Sequence, residues 1–335
     1  MAALLEIRDL RTYIRQRKGE VRAVDGVSLY IEEGETLGLV GESGCGKTMT
    51  GMSIMHLLPP GGYIAPGSSI QISGKELVGM PEKDLRHVRG NDVAVIFQDP
   101  MTSLNPTMSI GNQIAEMVRI HRQVSRKEAL ERAAEVLGLV GMPNPRERLT
   151  DYPHQLSGGL RQRVMIAMAL SCDPKLLIAD EPTTALDVTI QLQILELLYS
   201  LKQRLRMAVL LITHDMGVIA GRADRVNVMY AGKIVEAAST GELFESMRHP
   251  YTQALLASIP RLNQPTDAPL YSIPGLPPDL SHPPTWCRFQ PRCQFATARC
   301  REEEPPLSGE NPDHQYACFN PVGRVRPEPR AVSLP

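Results

Sequence analysis

The pattern of hydrophobic and polar residues changes along the chain, and each part predicts a different kind of element. Residues 4–31 alternate apolar and polar side chains, which predicts half-exposed antiparallel strands. Between residues 110 and 140 apolar positions recur at helical spacing. Three continuous apolar runs, at 93–97, 176–179 and 209–212, predict strands buried on both faces, as in a parallel sheet covered by helices. The pattern therefore predicts an α/β fold.

Polar side chains follow each of the three buried runs. Gln98 follows the first, Asp180 and Glu181 follow the second, and Thr213 and His214 follow the third. In open α/β sheets, ligands bind at the carboxyl ends of the strands. We therefore expect these side chains to serve one site.

A phosphate-binding pattern lies earlier in the chain. The stretch GESGCGKT at residues 41–48 fits G-x-x-x-x-G-K-[ST], between a predicted strand at 36–40 and a predicted helix at 49–58. Backbone N–H groups at such a helix start favour anions. We expect Lys47 to reach the β/γ-phosphates of a nucleotide and Thr48 to ligate Mg²⁺; the alternative is a tight glycine turn without a ligand. The residues predicted to bind the nucleotide here are Gly41, Ser43, Gly44, Cys45, Gly46, Lys47, Thr48 and Met49.

The acidic pair after the second buried strand fits the same chemistry. Asp180 is expected to hold Mg²⁺ through water or through the Thr48 hydroxyl, and Glu181 to orient and deprotonate an attacking water. The alternative is a pair that only caps the next helix. Cys45 lies at a helix N-terminus, where the pKa of a thiol tends to fall, or it is simply a small residue tolerated there.

Composition narrows the function classes. The chain has 335 residues, a net charge of −1 and a pI near 6.7, so a broad basic surface for nucleic acid is not indicated. Residues 1–10 contain Glu6, Arg8 and Asp9, which excludes the apolar core of a signal peptide. The apolar runs are too short to cross a bilayer. We therefore expect a cytosolic protein, and any membrane role must be peripheral.

The last part of the chain differs in composition. Of the 28 prolines, 11 precede residue 250 and 17 follow from there, which predicts a domain boundary near residues 240–250. Four cysteines with the spacing C-x5-C-x6-C-x17-C lie in this part: Cys287, Cys293, Cys300 and Cys318.

Clustered cysteines in a cytosolic chain indicate a metal more than disulfides. The spacing lacks the C-x2-C pairs of structural zinc sites, which counts against zinc without excluding it. Four thiolates can also hold an iron–sulfur cluster, and the remaining alternative is four reduced cysteines that pack as small hydrophobes. Since this proline-rich segment has little apolar content, we expect it to need a stabilising metal or cross-link in order to fold.

Residues 156–163, LSGGLRQR, resemble the LSGGQ signature of ABC-type ATPases, with Leu160 where the usual glutamine stands. The resemblance implies that ATP is sandwiched in a dimer, where the signature loop grips the γ-phosphate held by the opposite subunit. The residues it assigns to that loop are Ser157, Gly158 and Gly159.

Other family elements follow in the family's order. Gln98 resembles the Q-loop glutamine that senses Mg²⁺ and the attacking water, and His214 resembles the switch histidine that contacts the γ-phosphate. Residues 185–187, Ala-Leu-Asp, resemble the D-loop at the dimer interface. The family places an aromatic residue against adenine near the first strand. By offset this position falls on Ile14, with Tyr13 as the neighbouring candidate for stacking.

The resemblance narrows to the ATPases of dipeptide/oligopeptide importers. It is carried by residues 99–106, 180–187, 248–256, 273–278 and 287–293. It implies an ABC-type P-loop ATPase with a mixed sheet core, an antiparallel β subdomain and a helical subdomain at about 100–170, all within residues 1–245. Residues 246–335 form the importer-type extension, a small irregular domain. The resemblance implies a 4Fe–4S cluster on its four cysteines, with zinc as the alternative.

The function implied by this resemblance is ATP hydrolysis that drives peptide import. The implied partners are a second, non-identical ATPase chain, two membrane permease subunits and an extracytoplasmic peptide-binding protein. Related nickel and glutathione importers share much of the pattern and remain alternatives. A soluble ABC ATPase of DNA maintenance or translation is the rival class; its typical coiled-coil insertion is missing, since about 60 residues separate Gln98 from the signature.

Overall fold

The computed structural model describes residues 3–17, 19–99, 103–183, 186–259 and 271–323. The chain divides into two compact units, each built from several stretches of sequence. The first unit comprises Met1–Leu5, Tyr30–Thr36 and Gln71–Ile212, and the second comprises Glu6–Leu29, Leu37–Ile70 and Thr213–Pro335. The predicted boundary between residues 245 and 246 stays a prediction.

The second unit contains most of the long strands β1 (Leu5–Gln16) and β2 (Gly19–Ile31). Buried and exposed residues alternate over the second half of β2, so the predicted period of two is confirmed there. Strand β4 (Gly62–Ile64) pairs antiparallel with β1, and Tyr13 lies opposite Tyr63. Both predicted strands are therefore present, and β1 belongs to an antiparallel pair.

A mixed sheet runs through the second unit. The fully buried strand β3 (Thr36–Val40) is parallel to β10 (Arg225–Tyr230), which pairs antiparallel with β11 (Lys233–Ser239). The C-terminal hairpin of β12 (Ser308–Asn311) and β13 (His314–Tyr316) continues this sheet, because β13 pairs antiparallel with β11. The helices of this unit are α1 (Lys47–Ile54), α8 (Met216–Ile219), α9 (Thr240–Ser246) and α10 (Pro250–Ala257).

The first unit contains the three buried strands. They are β7 (Val93–Ile96), β8 (Leu176–Asp180) and β9 (Ala208–Thr213), and β8 is parallel to both neighbours. The parallel sheet predicted from the apolar runs is therefore confirmed. The short strands β5 (Ser69–Ile72) and β6 (Lys75–Glu76) pair antiparallel.

Helices make up much of the rest of the first unit. The predicted helical stretch is two helices, because Gln123 takes a left-handed backbone conformation with a φ of 46°. Ser125 then starts the next helix with a capping box to Glu128. The helices are α2 (Glu82–Val88), α3 (Ile110–Arg122), α4 (Arg126–Leu139), α5 (Pro145–Arg148), α6 (Gly158–Leu170) and α7 (Val188–Leu205).

The end of the described chain is irregular. Residues 271–323 contain short 3-10 turns at Gln290–Arg292 and Arg299–Arg301 besides the hairpin. Phe289 anchors this segment, because its ring centroid lies 5.2 Å from that of Tyr230 and 5.4 Å from that of Tyr251. Over the described residues, no helix combines the length and hydrophobicity that a membrane span requires.

A buried carboxylate ties the hairpin to the rest of the second unit. Glu236 on β11 is 0% exposed and accepts backbone N–H bonds from Arg248 (2.6 Å) and His249 (3.0 Å). Its third partner is Nε2 of His314 on β13, at 2.8 Å. The hydrogen bond to Glu236 raises the pKa of His314 above its ordinary value, despite the opposing effect of burial.

The substitution His314→Gln should therefore destabilise the protein more at low pH than at high pH. A raised folded-state pKa contributes stability that is fully present below the unfolded pKa of about 6.5 and is lost as pH rises through the folded value. Urea unfolding at about pH 6 and about pH 9 should show a smaller deficit at the higher pH. His282→Gln, at an exposed histidine of the same segment, is the control. An equal deficit at both pH values would contradict the assignment.

Candidate functional site

Residues 41–48 form a tight loop between β3 and α1. The backbone of Gly41, Gly44 and Gly46 has positive φ values of 154°, 78° and 109°. A Cβ on Gly46 would lie 2.3 Å from the carbonyl oxygen of Ala23, and one on Gly41 would lie 2.1 Å from that of Met229. Two of the three glycines are thus required both by conformation and by space.

Lys47 lies in the first turn of α1 and is buried, with 4% of its surface exposed. Its Nζ donates to the carbonyl oxygens of Gly41 (2.7 Å) and Glu42 (3.0 Å). The ammonium group is therefore held beside the loop backbone by the loop's own carbonyls. A lysine in this position brings a positive charge to a loop whose N–H groups already favour anions.

Cys45 departs from one expectation. It is 5% exposed, and burial raises the pKa of its thiol, although the Lys47 ammonium opposes the shift. The expectation of a lowered thiol pKa at this helix start is therefore wrong, because desolvation outweighs the nearby positive charge. The alternative interpretation, a small residue packed into the loop, agrees with its burial.

In the first unit, two of the predicted catalytic side chains meet. Nε2 of Gln98, just past β7, donates to Oε2 of Glu181 at 3.0 Å. Glu181 follows β8 in a left-handed conformation, with a φ of 45°, and its backbone N–H donates to Ile212 on β9 at 2.9 Å. Asp180, the last residue of β8, is buried. The ends of three neighbouring strands thus hold Glu181 in an unusual backbone conformation, as occurs at functional sites.

The signature-like loop opens helix α6. Ser157 caps that helix, its hydroxyl accepting from the N–H of Leu160 at 3.4 Å, and Gly158 is the first helical residue. A Cβ on Gly159 would lie 2.9 Å from the Ile190 side chain of α7. This close approach explains a glycine at that position.

A side-chain hydrogen bond connects helix α6 to the backbone that follows β8. Gln162 donates to the Pro182 carbonyl at 2.5 Å, directly after Glu181. Asp187 of the predicted D-loop caps α7 by accepting from the N–H of Ile190 at 3.0 Å. Ala185 of the same predicted loop lies outside the described residues.

The predicted site residues fall into both units. The first unit contains Gln98, Ser157, Gly158, Gly159, Asp180 and Glu181, and the second contains Tyr13, residues 41–49 and His214. Their roles toward a nucleotide stay predictions.

Tyr13 is held through its hydroxyl, which donates to Asp25 at 2.7 Å. Burial, together with that hydrogen bond, raises the pKa of Tyr13 to about 12. Its ring meets the Tyr63 ring edge-on at 6.1 Å, and the Arg22 guanidinium lies 5.7 Å from its centroid. Whether Tyr13 or Ile14 faces adenine stays a prediction.

Two arginines near the clustered cysteines bind carboxylates close to the predicted site residues, and the motifs did not predict these contacts. Arg292 donates to both carboxylate oxygens of Glu42, at 2.6 and 2.9 Å. Arg288 donates to Asp25, the partner of Tyr13. Burial alone would raise the pKa of Asp25, but the hydrogen bonds from Tyr13 and Arg288 hold it below its ordinary value. The nearest sequence signal is their position, since each adjoins a cysteine of the cluster.

The four clustered cysteines line one small cavity, together with Phe289 and Phe295. All are free thiols, and burial raises the pKa of Cys287 to about 11 and that of Cys318 to about 12. The backbone N–H of Asn320 donates to the Cys318 sulfur at 3.3 Å. However, in the described part of the chain no three His, Cys, Asp or Glu side chains are grouped so as to hold a metal ion. The predicted metal-cluster domain is therefore not supported by this arrangement.

Comparison with known proteins gives this geometry a context. Residues 24–184 match the family described as ABC transporter. The chain is similar to the probable peptide ABC transporter ATP-binding protein y4tR of Sinorhizobium fredii, with 52% identity over 94% of each chain. It is also similar to the oligopeptide transport ATP-binding protein OppD of Bacillus subtilis, with 52% identity over 91% of this chain and 85% of that one.

A solved structure agrees with this similarity. The dimeric structure of a post-hydrolysis state of the ATP-binding cassette MJ0796, bound to ADP and Pi, matches with a TM-score of 0.62 and 26% identity. The match covers 70% of this chain and 98% of that one. The chain therefore belongs to the ABC transporter family of ATP-binding proteins, and its activity is that of an ABC-type ATPase.

Its place within the family comes from a second match. Residues 235–300 match the family described as oligopeptide/dipeptide transporter, C-terminal region. The predicted ABC-type fold, with its mixed sheet and helices, is thus confirmed, as is the resemblance to the ATP-binding subunits of peptide importers. The metal-binding part of the prediction has no such support.

The substitution Gly46→Ala should weaken ATP binding at least about tenfold, which corresponds to about 1.4 kcal/mol. Its Cβ would meet the Ala23 carbonyl at 2.3 Å and force the loop open. Titration calorimetry with Mg-ATP measures the effect, and circular dichroism checks that the variant is folded. Gly74→Ala is the control, because Gly74 has a φ of 77° but open space around its Cβ position. If Gly46→Ala bound ATP like the parent, this loop would not be the phosphate site.

Proposed function

We propose that this chain is the ATP-hydrolysing subunit that powers import of dipeptides or oligopeptides through a membrane ABC transporter. The observation that carries the proposal is the similarity to peptide-transport ATP-binding proteins over nearly the whole chain, including the C-terminal region. The candidate alternatives are a nickel or glutathione importer, and less directly a soluble ABC ATPase of nucleic-acid maintenance. Residues 1–245 form the ATPase domain in this proposal, and residues 246–335 form the extension.

In this proposal the chain binds ATP and Mg²⁺. Lys47 contacts the β/γ-phosphates, and the glycine-rich loop surrounds them with backbone N–H groups. The hard oxygen donors of Thr48, Gln98 and Asp180 suit Mg²⁺, which neutralises phosphate charge when bound. Tyr13 lies against the adenine. His214 contacts the γ-phosphate.

Glu181 is the general base in this proposal. Its carboxylate is oriented by the Gln98 amide at 3.0 Å, and its backbone is fixed by the hydrogen bond to Ile212. A carboxylate held in this way accepts the proton of the attacking water, while Gln98 stays close enough to sense whether that water is present. Both functions depend on one hydrogen bond within the first unit.

A second ATPase chain completes the site. Ser157, Gly158 and Gly159 at the start of helix α6 grip the γ-phosphate bound by the partner, because a helix N-terminus favours anions. The dimeric form of the similar MJ0796 cassette supports this arrangement. The partner is a related, non-identical chain, and closure of the two on ATP switches two permease subunits between inward- and outward-facing states. An extracytoplasmic binding protein delivers the peptide, and the chain lies peripherally at the cytoplasmic face of the membrane.

We also propose a 4Fe–4S cluster on Cys287, Cys293, Cys300 and Cys318, with zinc as the alternative. These four thiols line one cavity. A polynuclear cluster places its thiolates farther apart than a single ion does, because the thiolates bind different iron atoms, so lack of a single-ion site does not argue against it. The thiol pKa values of about 11 and 12 for Cys287 and Cys318 mean that metal binding must release protons.

The substitution Glu181→Gln in the assembled transporter should preserve ATP binding but reduce hydrolysis about 10²-fold or more, because the general base is lost. ATP should then accumulate in a closed ATPase dimer, measured as radiolabelled ATP that the detergent-solubilised complex retains. Glu196→Gln, at an exposed position on α7, should turn over normally. Near-normal turnover by Glu181→Gln would count against the assignment of Glu181 as the base.

Anaerobic purification of the tagged chain from its native membranes tests the transport and metal proposals together. Two permeases and a second ATPase chain should co-purify, and substrate-stimulated turnover should distinguish peptides from nickel and glutathione. About four iron and about four sulfide per chain are expected for the cluster. Cys293→Ser should lose the metal, whereas Cys172→Ala should keep it.

The outcomes separate the alternatives. Recovery without permeases would contradict the transport role. Purified protein that contains zinc but no sulfide would show a zinc site instead of the cluster. Protein without any metal would show that the four cysteines are reduced thiols.

A further inference from the structure

The ion pair between Arg292 and Glu42 joins the cysteine segment (residues 287–318) to the phosphate loop (residues 41–48). The two residues are 250 positions apart in sequence. The Arg292 side chain is 3% exposed. It uses both terminal nitrogens on Glu42, while Nε donates to the Pro274 carbonyl at 2.9 Å. A bidentate guanidinium whose Nε–H is also bound is fixed in orientation.

The backbone of Glu42 also forms hydrogen bonds within and around the phosphate loop. It follows Gly41 directly in the loop, and its backbone N–H donates to the Tyr251 hydroxyl at 2.8 Å. Its carbonyl oxygen accepts from Nζ of Lys47 at 3.0 Å. The residue that Arg292 grips by its side chain therefore holds the Lys47 ammonium by its backbone. A change at Arg292 reaches Lys47 through one residue.

The charge of Glu42 creates a second requirement. A carboxylate in a loop that binds phosphate repels the ligand unless a positive charge neutralises it. Arg292 supplies that charge from outside the loop. The pair therefore neutralises a negative charge within an anion-binding loop.

A second arginine of the same segment acts on the same surroundings. Arg288, 7% exposed, donates to the Ala231 carbonyl at 2.5 Å as well as to Asp25. The same peptide group donates its N–H, that of Gly232, to the carbonyl of Cys45 in the phosphate loop at 2.8 Å. Two arginines, each beside a clustered cysteine, thus support the loop at two points.

We propose that Arg292 is a positioning residue for ATP binding, and that through it the folded cysteine segment sets the affinity of the phosphate loop for nucleotide. The inference rests on the proposed assignment of residues 41–48 as the phosphate site. Arg292 acts through Glu42 and does not touch the reacting atoms. Its removal should therefore raise the Kd and KM for Mg-ATP while leaving kcat at saturating ATP nearly unchanged.

The test is a double-mutant cycle in the assembled transporter, with Arg292→Gln, Glu42→Gln and the double variant. Arg292→Gln should raise the Kd for Mg-ATP about tenfold, because Glu42 is left uncompensated. This deficit should shrink at high salt, since the repulsion is screened. Glu42→Gln alone should bind at least as tightly as the parent, and the double variant should recover to within about threefold. Arg292→Lys should recover only in part, because an ammonium cannot form the bidentate pair.

Two controls separate the possible failures. Arg299→Gln is matched to Arg292→Gln, because Arg299 also adjoins a clustered cysteine but is exposed and pairs with Glu303. It should bind Mg-ATP like the parent. Lys47→Ala tests the site itself: if ATP binding survived that change, the phosphate-loop assignment would fail rather than this inference.

The inference is overturned if Arg292→Gln binds Mg-ATP normally while Lys47→Ala does not. It is also overturned if the double variant is as weak as Arg292→Gln, because the pair would then contribute to folding alone. Should Arg292→Gln fail to fold, Glu42→Gln still decides: weaker binding by that variant, which removes the carboxylate and keeps the arginine, contradicts the electrostatic role.

Discussion

The close packing of the phosphate loop against neighbouring backbone is the constraint on which the second unit depends. The Cβ positions of Gly41 and Gly46 are occupied by the carbonyls of Met229 and Ala23. The direction of the loop's N–H groups is therefore fixed by Met229 on strand β10 and by Ala23 on strand β2. Preorganised dipoles of this kind bind an anion without the cost of reorganising the backbone. Any charge near the loop then acts on a rigid target.

Regular elements could be predicted from the sequence because their determinants are local. Alternation in β2, continuous apolar runs in β7, β8 and β9, and the glycine pattern at 41–48 each specify an element without knowledge of distant residues. The meeting of Gln98 and Glu181 followed from one topological rule, that polar residues at the ends of parallel strands share an edge. Helix ends were less predictable, since α1 begins at Lys47 and ends at Ile54 rather than spanning 49–58.

Interactions between distant residues could not be predicted. Glu42 and Arg292 are ordinary charged residues in sequence, and nothing local shows that one is 3% exposed and faces the other. The thiol of Cys45 shows the same limit, because its pKa depends on burial that only the fold creates. For the clustered cysteines, the spacing in sequence predicts four thiolate ligands but does not give the distances between them.

Charged side chains join the C-terminal extension to the surroundings of the phosphate loop within one compact unit. Two carboxylates lie close to the predicted nucleotide site, on Glu42 in the loop and on Asp25 beside Tyr13. Both would repel a polyanionic ligand. Each is paired with an arginine of the extension, Arg292 or Arg288. An ATPase domain without this segment would retain both carboxylates and lose both arginines. The extension therefore supplies the positive charges that neutralise these carboxylates. The hairpin of β12 and β13, which pairs with β11, holds the extension in place.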